Sequence, residues 1–144
     1  MILSNFIKPK WQHSNPNIRR SVIDGLDDTA ILHEIAQNDT AAEVRQAALK
    51  KINDLNILNA IAHNDSDKNV QAVAQQRIKQ LLCSESLSLE QRIAWINKTN
   101  DVEQIAEVAT KAEEVELRLA AIAKLEREGL LGDIVSMILL VKCV

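Results

Sequence analysis

Glycine occurs three times and proline twice in 144 residues, so few positions force a helix to stop. Aromatics are nearly missing: Phe6, Trp11 and Trp95 are the whole set. A core without them must be built from Ala, Ile, Leu and Val. Closely packed helices can be made that way, whereas a sheet sandwich wants aromatic and β-branched side chains. Cys83 and Cys143 are far apart and neither has a partner at ligand spacing, which argues against a disulfide framework and a zinc site. No run approaches the roughly 18 apolar residues of a membrane span. The longest, IVSMILLV at 134–141, is too short. The opening MILSNFIKPKW has too short an apolar run for a signal peptide and lacks a small-residue cleavage site. Two free thiols without an export signal make the cytoplasm, in bacterial style, the expected compartment, and no membrane partner is expected. Seventeen basic and twenty acidic residues leave a net charge of −3 and a pI of about 5.6. There is no global basic field to hold nucleic acid or an anionic membrane.

What is present is a repeat. Hydrophobic residues make up 47% and charged residues 26%, the balance of a globular chain. VRQAALKKI begins at Val44, and related stretches begin at Ile18 (IRRSVIDGL) and Val70 (VQAVAQQRI), 26 residues away on either side. A weaker copy begins at Gln91 (QRIAWINKT), and another at Leu117 (LRLAAIAKL), again 26 residues on. With the first residue as position zero, position one is Arg19, Arg45, Gln71, Arg92 and Arg118. Position four is Val22, Ala48, Ala74, Trp95 and Ala121, and position eight is Leu26, Ile52, Ile78, Thr99 and Leu125. Positions zero, four and eight share one stripe of a helix.

A second family of segments lies between these: TAILHEIAQND at 29–39, LNILNAIAHND at 55–65 and VEQIAEVATKA at 102–112. Each has aliphatic residues at helical spacing. The Asn38-Asp39 and Asn64-Asp65 pairs end two of them, because short polar side chains compete for the backbone. Asn15, Asp67 and Ser88 are expected N-caps, and Pro16 suits a first turn. Each unit therefore reads as helix, tight turn, helix, short loop. One such unit cannot bury its apolar stripe alone, but stacked units can.

This pattern of a polar entry, V-R-x-A-A and a closing aliphatic resembles HEAT repeats, most closely the short HEAT-like repeats of phycobilisome lyases. FIKPKWQHSNPNIRR and LEQRIAWINKTND are similar to the N-terminal solenoid of a bacterial protein family of unknown function, in which a long charged helical domain follows. The resemblance covers residues 6 to 136. It implies an all-α fold, a right-handed α-α superhelix of about five two-helix repeats forming one domain over 1–144, with 1–14 as a lead-in and 133–144 irregular.

Two places depart from regularity. After Ile78 the chain reads KQLLCSESLSLEQR, and the next copy follows only 21 residues after the third. The spacing predicts a longer helix to Leu82 and a loop at 84–88. At the other end, GLLGDIVS starts like another repeat, but MILLVKCV follows where polar residues are due. A solenoid needs a polar cap on its last repeat. The favoured expectation is a fragment or an altered reading frame, and the second is a homodimer contact through that apolar end.

The repeated Arg19, Arg45, Arg92 and Arg118 are the strongest polar signal. In HEAT repeats this Arg ties adjacent loops together, so bonds to loop carbonyls or to acids such as Asp39 and Asp65 are expected. The functional alternative is an anion-binding row, because Arg suits bidentate contact. Some HEAT-like DNA glycosylases bind DNA on a basic concave face. Here the outward positions two and six carry Arg20, Gln46, Ala72, Ile93 and Leu119, then Asp24, Lys50, Gln76, Asn97 and Ala123, a mixed row. Nucleic acid is disfavoured as a partner. Trp11 is expected to cap the open end of the core. Trp95 either fills space beside the irregular third unit or joins Ile93 and Leu119 in an exposed binding cluster. No second histidine stands at i+4 from His13, His33 or His63, and surface or loop positions are expected for them. Cys83 is expected to be semi-buried and inert, Cys143 exposed. The acids at 113–116 should open a helix. No nucleophile elbow, glycine-rich phosphate loop or paired acid stands out.

The expected activity is therefore not catalytic, and no cofactor or metal is implied. The chain reads as a scaffold or adaptor that binds an unidentified protein or peptide on a concave face, with Trp95, Ile93, Leu119, Arg20, Gln46 and Lys50 as candidate contacts. Nucleic-acid association through the Arg row is the alternative. Bilin-lyase chemistry is a third, carried by repeat resemblance alone.

Overall fold

The computed structural model describes residues 8–129, and among them every regular element is helical. The chain divides into two compact units, Met1–Arg77 and Ile78–Val144. The first holds α1 (Pro16–Ser21), α2 (Thr29–Asn38), α3 (Ala42–Leu49), α4 (Leu55–Asn64) and the start of α5 (Lys68–Leu82). Short 3-10 turns at Lys10–Gln12 and Ile23–Gly25 precede and follow α1. The second holds the end of α5, then α6 (Leu89–Lys98), α7 (Val102–Lys111) and α8 (Val115–Arg127). No described helix is long and apolar enough to cross a membrane. The apolar run at 134–141, Cys143 and the proposed dimer contact there lie outside the described residues.

How can a chain with three glycines turn so often? Four of the described helices end on residues in extended backbone. Asp39, Asp65, Thr99 and Ala112 follow α2, α4, α6 and α7 with φ between −62° and −69° and ψ between 137° and 146°. Such turns need no left-handed residue. Among the described residues the sole positive φ belongs to Gly129, at 67°. Six of the described helices start on short polar side chains. Asn15, Asp28, Asp54, Asp67 and Asp101 each accept a backbone N–H of the first turn, and Ser88 with Gln91 forms a reciprocal capping box. The helix predicted to end at Leu82 does end there.

Positions zero, four and eight are buried in three of the copies. Val44, Ala48 and Ile52 are at most 2% exposed, and Val70, Ala74, Ile78, Leu117, Ala121 and Leu125 are at 0%. Alanine at position four leaves room for close helix approach. Each fully buried Leu or Ile in the stripe contributes about 1.5–3 kcal/mol. The first copy differs from the stripe expected for it. Ile18, Val22 and Leu26 are only half-buried, and Ile23 takes the core place at 1% exposure. The helix stops at Ser21 and tightens into a 3-10 turn ending at Gly25, a residue that costs about 1 kcal/mol in a helix interior. The tighter winding turns Ile23 inward.

In the second unit, α8 packs on α7 and α6. There the weaker copy substitutes a polar network for an aliphatic stripe. Trp95 Nε1 donates to Gln104 Oε1 at 2.8 Å, and Gln104 Nε2 donates to Asp101 Oδ2 at 3.1 Å. Thr99 Oγ1 lies 3.5 Å from the same Gln104 oxygen and accepts from the Asp101 N–H at 3.2 Å. Trp95, Thr99 and Gln104 are all buried, so each bond replaces one lost to water. Trp95→Phe removes the indole donor to the Gln104 oxygen. Urea unfolding should show a loss of about 1–3 kcal/mol, more than for Trp95→Phe in a Gln104→Leu background. Equal losses in the two backgrounds would remove the network from this account.

Candidate functional site

The repeated arginines are built into the fold as straps. Arg19 on α1 donates Nε and Nη2 to the two carboxylate oxygens of Asp39, both at 2.9 Å. Its Nη1 donates to the carbonyls of His13 and Ser14. Arg45 on α3 repeats the arrangement one unit later. Nε and Nη2 meet the two oxygens of Asp65 at 2.9 Å, and Nη1 donates to the Asp39 carbonyl at 2.7 Å. Each guanidinium therefore joins a carbonyl six residues before it to a carboxylate twenty residues after it. The carboxylates do double duty, since Asp39 Oδ1 also accepts the Ala41 N–H and Asp65 Oδ1 the Asp67 N–H.

The later copies vary this rule in ways their sequence explains. Gln71 has Gln91 twenty residues on, so no acid is available. It keeps only the carbonyl bond, Nε2 to Asp65 O at 2.6 Å. Arg92 finds Ala112 at that spacing and shifts by two residues to Glu114, with Nη1 and Nη2 on its carboxylate at 3.1 and 2.6 Å. Its Nη1 also reaches the Leu82 carbonyl, at 3.4 Å, while Nε is buried without a partner. Arg118 holds the Ala112 and Glu113 carbonyls. Arg19, Arg45 and Arg92 are 9%, 8% and 3% exposed.

Position seven carries a second strap that the sequence analysis missed. Lys51 Nζ donates to the carbonyls of Ile23, Asp24 and Leu26, where the first copy ends. Arg77 Nε donates to Ile52 O and Nη2 to Asn53 Oδ1. Lys124 Nζ donates to Asn97 O at 3.0 Å. All three donate to carbonyls at or just past a helix end. The signal was available, because Lys51, Arg77, Lys98 and Lys124 stand at 26-, 21- and 26-residue intervals, matching the copies. Lys98 instead lies 5.5 Å from the centre of the Trp95 ring.

The outward positions are a different population. Arg20 and Lys50 are exposed and Gln46 is half-buried, all in the first unit. In the second, Leu119 is 59% exposed and Val115, one turn earlier on α8, is 53% exposed. Ile93 is half-buried. Trp95, at 7%, does not join these residues in an exposed cluster, because its indole is committed to Gln104. Cys83 is half-buried, and burial, with Glu107 next, pushes its thiol up, so it stays protonated and weakly nucleophilic at neutral pH. His13 Nδ1 accepts the Asn15 N–H, and His63 Nδ1 lies 2.8 Å from Asn59 O. Among the described residues no three His, Cys, Asp or Glu gather as metal ligands.

The acids in these straps give the fold a defined response to pH. For Asp65, burial alone raises its pKa, but the Arg45 guanidinium and the Asp67 N–H outweigh it and hold the carboxyl below its ordinary range. The Arg92 guanidinium holds Glu114 down likewise. Because the folded values lie below the unfolded ones of about 3.9 and 4.3, this stability is complete above those values and is lost as pH falls through the folded ones. Urea titrations from pH 7 to pH 2 should show stability falling below about pH 4, and Asp65→Asn should flatten that limb. At neutral pH, Arg45→Ala should cost about 3–5 kcal/mol, because it strands a buried carboxylate. Arg45→Gln/Asp65→Asn should cost less, since it removes both charges together, as in the next copy, where Gln71 and Gln91 stand at the corresponding positions. A double variant no more stable than Arg45→Ala counts against the strap. Comparison of the whole chain with protein-family models, curated proteins and solved structures returned no match.

Proposed function

We propose that this chain is a non-catalytic binding module: a right-handed solenoid of HEAT-like repeats that holds a protein or peptide partner on its outward-facing helix positions, in a cytoplasmic and bacterial setting. The observation that carries this reading is the division of labour between two sets of side chains. The straps, Arg19, Arg45, Arg92, Lys51, Arg77 and Lys124, are engaged by carbonyls and carboxylates of the chain itself. The outward positions stay open and carry mixed chemistry, from Arg20 and Lys50 to Leu119 and Val115. An exposed apolar pair on one helix face, with polar neighbours, is the surface chemistry of protein contacts. The same engagement speaks against the Arg row as a phosphate track, since bidentate donors given to Asp39 and Asp65 are not available to a second anion.

The test is capture from a lysate of the source organism, with and without nuclease. A discrete protein should be retained after nuclease treatment and lost from Leu119→Asp/Ile93→Asp. Arg20→Glu/Lys50→Glu should weaken capture and make it less sensitive to salt. Capture abolished by nuclease, with a steep fall in binding as salt rises, would favour nucleic acid and overturn the protein-binding reading.

A further inference from the structure

Two positions of the repeat change together. Position one is Arg in four copies and Gln71 in the third. Position five, four residues on, is Ile23, Leu49, Ile96 and Ile122 in those four copies and Gln75 in the third. Where the Arg holds a carboxylate, both residues are buried. Ile23, Leu49 and Ile96 are 1%, 0% and 0% exposed, in the copies of the buried Arg19, Arg45 and Arg92. Arg118 and Ile122 are the same residue types, yet both are only half-buried.

Arg118 is oriented for a carboxylate. Its Nη1 donates to the carbonyls of Ala112 and Glu113 at 2.8 and 2.7 Å, six and five residues back, as Arg19 Nη1 donates to those of His13 and Ser14. In Arg19 that anchor leaves Nε and Nη2 side by side on the two oxygens of Asp39. In Arg118 no carboxylate among the described residues bonds to either nitrogen. Twenty residues on, the place of Asp39 and Asp65 is taken by Ile138. Glu114, four residues back, is engaged by Arg92 at 3.1 and 2.6 Å. A guanidinium fixed through one nitrogen, with its fork open, is pre-organised for bidentate contact with an acid.

Apolar surface adjoins the fork. On α8, Val115, Arg118, Leu119 and Ile122 stand at i, i+3, i+4 and i+7, on one face of the helix. Val115 and Leu119 are 53% and 59% exposed. The acids that serve Arg19 and Arg45 show what such a fork takes. Asp39 and Asp65 stand at the C-terminal ends of α2 and α4. Each follows buried aliphatic residues seven and four places earlier, Leu32 and Ile35 or Leu58 and Ile61. The carboxylate thus arrives at the end of an aliphatic helix. A second copy of this chain does not supply one in the repeat's own register. Residue 13, 26 places before Asp39, is the equivalent position of the first copy. His13 fills it, with Nδ1 accepting the Asn15 N–H as Asp39 Oδ1 accepts the Ala41 N–H.

We propose that Arg118, with Val115, Leu119 and Ile122, binds a helix end of another protein that carries an Asp with aliphatic residues four and seven places before it. The carboxylate seats on Nε and Nη2 of Arg118, and the aliphatic residues cover Leu119 and Ile122. This rests on the protein-binding reading above and gives its partner a chemistry.

The test uses a fluorescein-labelled, lactam-bridged helical peptide ending Leu-Lys-Ala-Ile-Ala-Lys-Asn-Asp-Thr-Ala-amide and a second with Asn in place of the Asp. Anisotropy with the full chain is the readout. At micromolar concentration neither peptide displaces α2 or α4, which their own chain holds at a roughly millimolar effective concentration. The Asp peptide should bind about tenfold more tightly than the Asn peptide. Arg118→Gln/Ile122→Gln should erase that preference. The double variant carries the pair of the third copy, where Gln71 keeps the carbonyl bond, and circular dichroism with urea unfolding checks its fold. Arg118→Lys keeps the charge without the fork and should lose most of the preference; it decides the matter should the double variant unfold. Equal binding of the two peptides, no binding of either, or a preference that survives these substitutions overturns the proposal. So does a dimer of the chain, seen by sedimentation, that Arg118→Gln/Ile122→Gln dissociates. If lysate capture is lost from Leu119→Asp/Ile93→Asp but unchanged by Arg118→Gln/Ile122→Gln, the Arg118 site is excluded while the wider binding reading stands. If neither peptide binds and nothing is captured from lysate, both fall.

Discussion

A guanidinium that reaches six residues back and twenty residues forward is the contact on which the repeat depends. Arg19 and Arg45 each connect three pieces of chain: the loop before their own helix, the end of the following helix, and the turn beyond it. A carboxylate that also accepts a turn N–H fixes the turn and the helix end with one group. This explains why Asp rather than Asn stands at 39 and 65. A carboxylate has two equivalent acceptor oxygens for a forked donor, whereas a carboxamide has one. It also explains why these turns dispense with glycine, because the side chains supply the order that a special backbone conformation supplies elsewhere.

That burden has a consequence for function. Side chains that resemble a binding row by their regular spacing are removed from the surface by the same regularity. A buried, ion-paired Arg contributes little to a long-range field, because its partner cancels it within a few ångströms. What is left at the surface is the remainder: Arg20 and Lys50 in one unit, Val115 and Leu119 in the other. Regular spacing in a repeat is first a sign of what each unit must do to hold its neighbour. Function is better sought at the positions where the copies differ.

The sequence made the helical class legible because the apolar spacing is strong and the breakers few. The caps at Asn15, Asp67 and Ser88, and the end of α5 at Leu82, follow from local chemistry alone. Other features depended on contacts that spacing does not encode. Ile23 replaces Val22 and Leu26 in the core because the first copy winds more tightly after Ser21. Trp95 is buried because Gln104, nine residues away, offers an acceptor, a pairing that no periodicity announces. Glu114 serves Arg92 two residues out of register, since the expected position holds Ala112. The position-seven cations were legible in their spacing, but a lysine on a helix is ordinarily read as a solvated one.

The third copy shows how far the strap can be reduced. Where Arg becomes Gln at 71, the acid twenty residues on becomes Gln91, so both halves of the ion pair are absent together. A lone Arg there would leave a half-buried charge without its carboxylate, and a lone Asp would leave the reverse. Gln71 retains the one interaction that needs no partner charge, the bond to the Asp65 carbonyl. Freed from the strap, Gln91 takes the local task of closing the capping box with Ser88 at the start of α6. The division into two compact units falls within α5, the helix that bears Gln71. Loss of the ion pair, a longer helix and a new capping box are thus three local changes in one irregular copy, each consistent with the chemistry of its own residues.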